Sequence, residues 1–200
     1  DVIVYVEPLP VVSFVADSIQ GCEPFYVTFI NTTPGNLQDC IWNFGGNNGG
    51  SSCDTITHLF QGGGLYDITL TTSSVNGCVN SITYDDYIYV EDNPSASFTA
   101  SSTSLLSLNT DVQFTNSTIG AVNYVWDFDD DTQNSTATNP NHTFPDTESA
   151  GYVVTLYAYS PIGCVDSVSQ VITIKQEIIF YIPNTFTPDG DEFNQNFMPV

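Results

Sequence analysis

The residues of this sequence best suited to chemistry are carboxylates in two short clusters. The first cluster consists of Asp127, Asp129, Asp130 and Asp131. The second consists of Asp189 and Asp191. Closely spaced carboxylate oxygens suit a hard cation, so both clusters are candidate calcium sites. The alternative is a solvated acidic turn in each place, because the full EF-hand spacing is absent and Asp and Gly are common turn residues.

Catalysis is not supported by the residues around these clusters. Glycoside hydrolysis needs two carboxyl groups facing each other across a substrate cleft, and neither cluster comes with cleft-forming residues or with a nucleophile. His58 and His142 each stand two residues before a Phe. A lone histidine in that setting is more often a packed or hydrogen-bonded structural residue than a base. We therefore predict no catalytic residue and no enzyme activity.

The charge balance excludes two classes of partner. The 200 residues contain 23 Asp and Glu but only one Lys or Arg, giving a formal net charge of −22. Nucleic-acid binding needs a basic face that displaces counterions from phosphate, and attraction to an anionic membrane needs the same. Direct membrane insertion is not expected either, because no run of 18 or more apolar residues occurs. Charge spread over exposed strands should keep their edges apart and make stability depend on salt or divalent cations.

The composition favours strands over helices. Hydrophobic residues make up 41% of the chain and aromatic residues 13%, which is enough to build packed cores. Short runs such as residues 67–71 alternate polar and apolar side chains and are separated by Gly, Pro, Asn and Ser. This pattern is typical of an all-β sandwich or barrel.

Internal repetition organises the chain. Six landmarks recur in the same order at offsets of 84 to 86 residues. They include Trp42-Asn43-Phe44 with Trp126-Asp127-Phe128, His58-Leu59-Phe60 with His142-Thr143-Phe144, and Gly77-Cys78 with Gly163-Cys164. Because the offset between matching segments stays nearly constant and their order is the same, the chain contains two homologous modules.

The repeat predicts the domain boundaries. Residues 1–7 resemble the last strand of a preceding module, residues 8–91 form module 1, and residues 92–176 form module 2. Residues 177–200 begin a further, truncated domain. Proline in each short linker restricts the connection, so adjacent modules should sit on semi-rigid connectors.

The same repeat predicts the core. In a sandwich strand, alternate side chains face inward. Trp42 and Trp126 lie in the middle of equivalent strands, where a buried tryptophan would fill the space between two sheets. Tyr66 and Tyr152 begin equivalent alternating strands and are expected on the same inward faces.

Both modules resemble PKD domains. The resemblance rests on Trp42-Asn43-Phe44-Gly45, on Trp126-Asp127-Phe128-Asp129-Asp130, and on the His-x-Phe and Tyr-x-x-Thr-Leu segments that follow each. The family motif runs Trp-Asp-Phe-Gly-Asp-Gly, from which Asn43, Gly46, Asp129 and Asp131 depart. The resemblance implies tandem immunoglobulin-like β-sandwiches of about seven strands each. It also implies use as an extracellular spacer or as a protein- and glycan-interaction module.

Residues 183–197 resemble a second family. Pro183-Asn184, Phe186-Thr187-Pro188, Gly190-Asp191, Asn194 and Phe197 match the opening of the gliding-motility-associated C-terminal domain of Bacteroidota, the type-B sorting domain of type IX secretion. Asp189, Glu192 and Gln195 depart from that pattern. The resemblance implies export across the outer membrane, retention at the cell surface, and an outer-membrane partner from the secretion or gliding apparatus.

An extracellular setting favours disulfides among the five cysteines. Cys40 and Cys53 flank the Trp42 strand and its Gly-rich loop, so we expect them to pair across a hairpin. We expect Cys22 to pair with Cys78, and Cys164 to be a free thiol, because module 2 has Ser107 where Cys22 aligns.

Three segments resemble the Asp-Ser/Thr-aliphatic O-glycosylation sequon of Bacteroidota. The candidate acceptors are Ser18, Thr55 and Ser167. The alternative is chance, because the chain is rich in Asp, Ser and Thr.

The expected function is therefore that of a non-enzymatic stalk or anchor segment. It would belong to a large secreted surface adhesin of the gliding-motility type, with neighbouring PKD repeats in the same chain as partners and calcium as the only candidate cofactor. Two alternatives remain: the accessory region of a secreted hydrolase, and a carbohydrate-binding module. The upstream sequence and glycan binding by residues 8–175 discriminate among them.

Overall fold

A computed structural model describes residues 8–46, 48–145 and 150–176. In these ranges the chain forms fifteen strands and no helix, which confirms the predicted all-β class. The strands build two sandwiches, one in each half of the chain. None of the described residues belongs to a helix of the length and apolarity needed to cross a membrane. The strand expected in residues 1–7 and the domain expected from residue 177 onward lie outside the described ranges.

The first sandwich pairs a sheet of three strands with a sheet of five. Its strands are β1 (Phe14–Ala16), β2 (Gln20–Cys22), β3 (Phe25–Asn31), β4 (Leu37–Phe44), β5 (Asn48–Ser51), β6 (Thr55–Phe60), β7 (Gly64–Ser74) and β8 (Val79–Glu91). The small sheet has the order β1-β3-β6 and the large sheet β2-β8-β7-β4-β5. All neighbours are antiparallel except β2, which runs parallel to the end of β8.

The second sandwich repeats this plan with one strand fewer. Its strands are β9 (Phe98–Ala100), β10 (Ser104–Leu106), β11 (Asp111–Asn116), β12 (Asn123–Asp127), β13 (Asn141–Thr143), β14 (Ala150–Tyr159) and β15 (Val165–Lys175). The sheets have the orders β13-β11-β9 and β10-β15-β14-β12. The short strand β10 runs parallel to the end of β15, as β2 does to β8.

Alternation along the long hairpin strands builds each core. Ile68 and Leu70 of β7, and Val154 and Leu156 of β14, are fully buried while their neighbours in sequence are more exposed. The register is the same in both modules, because Trp42 pairs with Leu70 and Trp126 pairs with Leu156. Equivalent sequence positions therefore face equivalent interior space.

A tryptophan lies at the centre of each core. Trp42 and Trp126 have no exposed area, and each indole N–H donates a 2.9 Å hydrogen bond to a backbone carbonyl, of Ser52 and Ala137 respectively. A tryptophan stabilises a core when its ring is buried and its indole N–H still has a hydrogen-bond partner.

Other aromatic rings surround the tryptophans. Phe14 packs edge-on against Trp42 with ring centroids 5.1 Å apart, and Phe98 packs in the same way against Trp126 at 5.0 Å. Tyr66 and Tyr152 are half-buried and pack against the edge of each core.

Candidate functional site

The acidic hairpin after β12 uses its carboxylates within the protein. Asp127 Oδ1 accepts the Asp129 N–H at 3.0 Å, and Asp129 Oδ2 accepts the N–H of Val153 in β14 at 3.0 Å. Asp129 and Asp131 both have positive φ values, of 58° and 60°. These bonds hold a tight turn between β12 and the segment that leads to β13.

Asp130 forms the innermost contact of this hairpin. Its Oδ2 lies 2.7 Å from Nε2 of His142, and its Oδ1 accepts the Thr132 hydroxyl at 2.6 Å. The Asp130 side chain is only 1% exposed and that of His142 13%. The His142 ring stacks on Phe128, with centroids 3.8 Å apart and planes 2° from parallel.

Burial and hydrogen bonding have opposite effects on the pKa of the Asp130 carboxyl. Burial favours the neutral acid, but hydrogen bonds from Thr132 and His142 outweigh it and lower the pKa of the Asp130 carboxyl. Module 1 has no such pair, since Gly46 takes the place of the acid. There His58 stacks on Phe44 at 4.2 Å, and burial lowers the pKa of its imidazole.

The four expected calcium ligands of the first cluster, Asp127, Asp129, Asp130 and Asp131, are not brought together around a common point. Among the described residues, no group of three or more His, Cys, Asp or Glu side chains is placed to hold a metal ion. Asp189 and Asp191 lie outside the described ranges. Calcium binding by either cluster stays a prediction.

Replacing Asp130 by Asn should destabilise module 2 and reduce its sensitivity to acid. The pKa of Asp130 is lower in the folded state, so its stabilising contribution is present above the unfolded value of 3.8 and is lost as the pH falls through the folded value. We expect Asp130→Asn to cost about 1–3 kcal/mol at pH 7 and progressively less as the pH is lowered below 3.8, measured by urea unfolding.

Asp131→Asn is the matched control for this prediction. It removes the same charge from the same hairpin, but Asp131 is exposed. Equal losses of stability for the two variants at pH 7 would show that the His142 contact is not what matters.

The structure corrects one of the two expected disulfides. Cys40 is bonded to Cys53, as expected, but the Cys22–Cys78 bond is wrong and Cys164 is not free. Cys22 is bonded to Cys164, and Cys78 is the cysteine outside a disulfide. The reason is strand direction: Cys22 pairs with Glu91 at the end of β8, whereas Cys78 immediately precedes the start of β8. The partners of Val79 and Val90 in β7 are Ser73 and Gly64, so the two ends of β8 lie about 30 Å apart, far beyond disulfide reach.

The Cys22–Cys164 bond belongs to a joint between the two modules. From module 1, Cys22 and Glu91 lie side by side where β2 ends against β8. Glu91 Oε2 accepts the Ser160 hydroxyl at 2.9 Å and the Ile162 N–H at 3.1 Å, both in the turn between β14 and β15. Cys164 ends the same turn and is 2% exposed. Module 1 therefore holds residues 160–164 of module 2 by one disulfide bond and two charge-assisted hydrogen bonds.

The linker adds further contacts to this joint. The Asn93 side chain donates to the Glu23 carbonyl at 2.6 Å, and Asp92 Oδ1 accepts the Gly63 N–H at 2.7 Å. Pro94 is buried. The semi-rigid connector expected from the prolines is therefore also held by hydrogen bonds back to module 1.

Comparing cysteines within one module does not reveal the joint, because the partner of Cys22 lies in the other module. The sequence does carry one signal, because Gly77-Cys78 and Gly163-Cys164 recur at one place in the repeat and the two cysteines therefore occupy equivalent positions. The structure also shifts the counterpart of Cys22 by one residue. Leu106, not Ser107, takes its place beside β15.

The three glycosylation candidates lie in different settings. Thr55 and Ser167 are exposed on strands β6 and β15, and Ser18 is half-buried with its hydroxyl donating to the Gln20 carbonyl at 3.3 Å. Their modification stays a prediction.

Comparison with known proteins identifies the repeated module. A family model for the PKD domain matches residues 6–90 and again residues 91–176. No curated protein gives a significant match. The PKD1 domain of Vibrio anguillarum Epp is 21% identical, with 44% of this chain and 99% of that domain covered and a TM-score of 0.36. The PKD1 domain of the Vibrio cholerae metalloprotease PrtV is 27% identical, with 41% and 96% covered and a TM-score of 0.35. A Ca2+-stabilized adhesin with which an Antarctic bacterium binds ice is 10% identical, with 82% and 49% covered and a TM-score of 0.48.

Proposed function

The chain belongs to the PKD domain family, and from that premise we propose that it is a non-enzymatic stalk and anchor segment of a large secreted surface adhesin. PKD domains are typically non-catalytic modules. Two disulfides fit an oxidising compartment outside the cytoplasm.

The observation that carries this proposal is the joint. A spacer that transmits force between a surface and a distal binding region needs modules that do not separate or swing freely. The Cys22–Cys164 bond and the two hydrogen bonds to Glu91 restrain the hinge that a linker of a few residues would otherwise form. An accessory domain that only tethers a catalytic unit has no comparable need for a covalently fixed joint.

The anchoring half of the proposal rests on the sequence of residues 183–197. Its resemblance to a type-B sorting domain supports export by the type IX secretion system and a role in adhesion or gliding motility. An outer-membrane protein of the secretion or gliding apparatus would be the partner at this end of the chain. The net charge of −22 suits a long exposed fibre, because it opposes association between copies.

Calcium would enter this proposal as a stabiliser of the stalk. At the β12–β13 hairpin, an ion would have to compete with the hydrogen bonds that Asp129 and Asp130 already accept. Calcium therefore stays a prediction for this segment.

Surface display in the native host tests the proposal. We expect deletion of the chain from Glu177 onward to abolish labelling of intact cells by antibodies against residues 8–175, with the protein retained inside the cell. The matched control deletes module 2, residues 92–176, and should leave surface labelling in place. Undiminished surface labelling after the first deletion would remove the sorting role, and loss of a catalytic activity from the culture would favour a hydrolase.

A further inference from the structure

Cys78 occupies the same turn in module 1 that the disulfide-bonded Cys164 occupies in module 2. The Ser74 N–H donates to the Cys78 carbonyl at 2.9 Å, and the Ser160 N–H to the Cys164 carbonyl at 2.8 Å. In each turn the serine hydroxyl accepts the cysteine N–H, at 3.3 Å and 3.0 Å. The two turns are built alike, yet only the one in module 2 has a described partner module against it.

The chain also enters both modules beside this turn. The Asn80 side chain, at the start of β8, donates to the Pro10 carbonyl at 2.8 Å. At the equivalent place in β15, Asp166 accepts the Ala96 N–H at 2.8 Å. Ser74 itself lines a surface groove together with residues 8–11. A segment joined to the chain before module 1 would therefore end next to Cys78, as module 1 ends next to Cys164.

The sequence supplies the other polar element of the joint. Glu7 stands 84 residues before Glu91, and residues 2–6 repeat the apolar alternation that ends β8. In the joint between modules 1 and 2, Glu91 is the acceptor for the turn that contains Cys164. The turn that contains Cys78 is thus preceded in sequence by an equivalent carboxylate.

From these observations we propose that Cys78 forms a disulfide with a cysteine of a preceding module, at the position equivalent to Cys22. The bonded pair Cys22 and Cys164 are 142 residues apart. The same separation counted back from Cys78 reaches a position about 65 residues before Asp1. This inference goes beyond the proposed function and does not depend on how the protein is exported or what it binds.

Formation of the bond follows thiol–disulfide exchange. The two cysteine thiols together lose two protons and two electrons, and a protein disulfide of an oxidoreductase accepts them and becomes a dithiol. A second copy of this chain is the competing partner. Its Cys22 is already bonded to its own Cys164, and Leu106 replaces the cysteine in module 2, so a copy offers only its own Cys78.

Peptide mapping of the native, longer protein tests the proposal. Trypsin is of little use because the 200 residues contain one Lys or Arg, but cleavage before aspartate separates the cysteines well. The expected fragments are 17–38 with Cys22, 39–53 with Cys40 and Cys53, 67–84 with Cys78, and 146–165 with Cys164. The protein is alkylated during extraction, digested without reductant and analysed by mass spectrometry.

We expect fragment 67–84 almost entirely in a cross-link to a peptide from before Asp1, whose cysteine lies about 65 residues upstream. The cross-link between fragments 17–38 and 146–165 is the internal control for the joint already described. Recovery of fragment 67–84 as an alkylated monomer or as a cross-link to itself would overturn the proposal. The absence of a cysteine from that upstream position would overturn it as well.

A variant supplies a second readout. Cys78→Ser should leave the melting temperature of the 200-residue chain unchanged, because Cys78 has no disulfide partner within it. In the longer protein the same substitution should lower the melting temperature of module 1. Equal effects in both proteins would mean that Cys78 acts only within its own module, against the proposal.

Discussion

Trp126→Ala should strongly destabilise module 2 at neutral pH and room temperature. Trp126 is fully buried, and its ring contacts Phe98 and Phe114 with centroids 5.0 Å and 5.5 Å away. Its indole N–H also satisfies the Ala137 carbonyl. Removing a buried tryptophan costs about 3–5 kcal/mol, against a total stability of about 5–15 kcal/mol for a domain. The Ala137 carbonyl would lose its partner as well, which adds to the loss.

The two tryptophans make this measurement selective. In Trp126→Ala the remaining fluorescence comes from Trp42 alone and should still report a native module 1 in a urea titration. In the same titration, circular dichroism should show about half of the strand signal lost at a lower urea concentration than in the wild type. Trp126→Phe, which keeps an aromatic ring, is the conservative control and should retain a folded module 2. An unfolding midpoint unchanged between Trp126→Ala and wild type would contradict the central role of this side chain.

Removing the Cys22–Cys164 bond should change how the chain extends under force. When both ends of the oxidised chain are pulled, tension passes through the disulfide and bypasses the residues between the two cysteines. Their sequence separation of 142 corresponds to about 500 Å of extended chain, which should stay hidden. The double variant Cys22→Ser, Cys164→Ser should instead show two unfolding steps, one for each module.

Single-molecule pulling measures this difference directly. In the double variant, the step of module 1 should be about 45 Å shorter than that of module 2, because Cys40–Cys53 still closes a separation of 13 residues. The matched control is Cys40→Ser, Cys53→Ser, which keeps the bond between the modules and should still hide nearly all of the extension. Full extension of the oxidised wild-type chain would show that the bond between the modules does not form.

The repeat made the core and the sandwich class predictable from the sequence. Trp42 and Trp126 recur in equivalent alternating segments, and side-chain alternation alone determines which face of a strand is inward. The pairing of Cys40 with Cys53 was equally accessible, because both lie within one hairpin and local geometry decides their distance. For such features, separation along the sequence is a fair measure of separation in space.

The joint and the acidic hairpin depend on contacts that the pattern of residue types along the sequence does not show. Cys22 and Cys78 belong to the same module, but the length of β8 places them at opposite ends of it, so the nearest thiol to Cys22 comes from the next module. Asp130 was predicted as a metal ligand because adjacent carboxylates suggest a cation. In the structure Asp130 contacts His142, which approaches from a segment twelve residues later, and only the folded hairpin brings these two side chains together.

The disulfide between the modules also bears on survival in a protease-rich environment. A single cut anywhere between residues 23 and 163 breaks the backbone but leaves the two ends of the chain connected through Cys22 and Cys164. Exposed turns such as the one around Asp131, or the Gly-rich loop after Phe44, could therefore be nicked without releasing what lies beyond them. In the span between its two cysteines, the chain has a second covalent connection that a peptidase cannot hydrolyse.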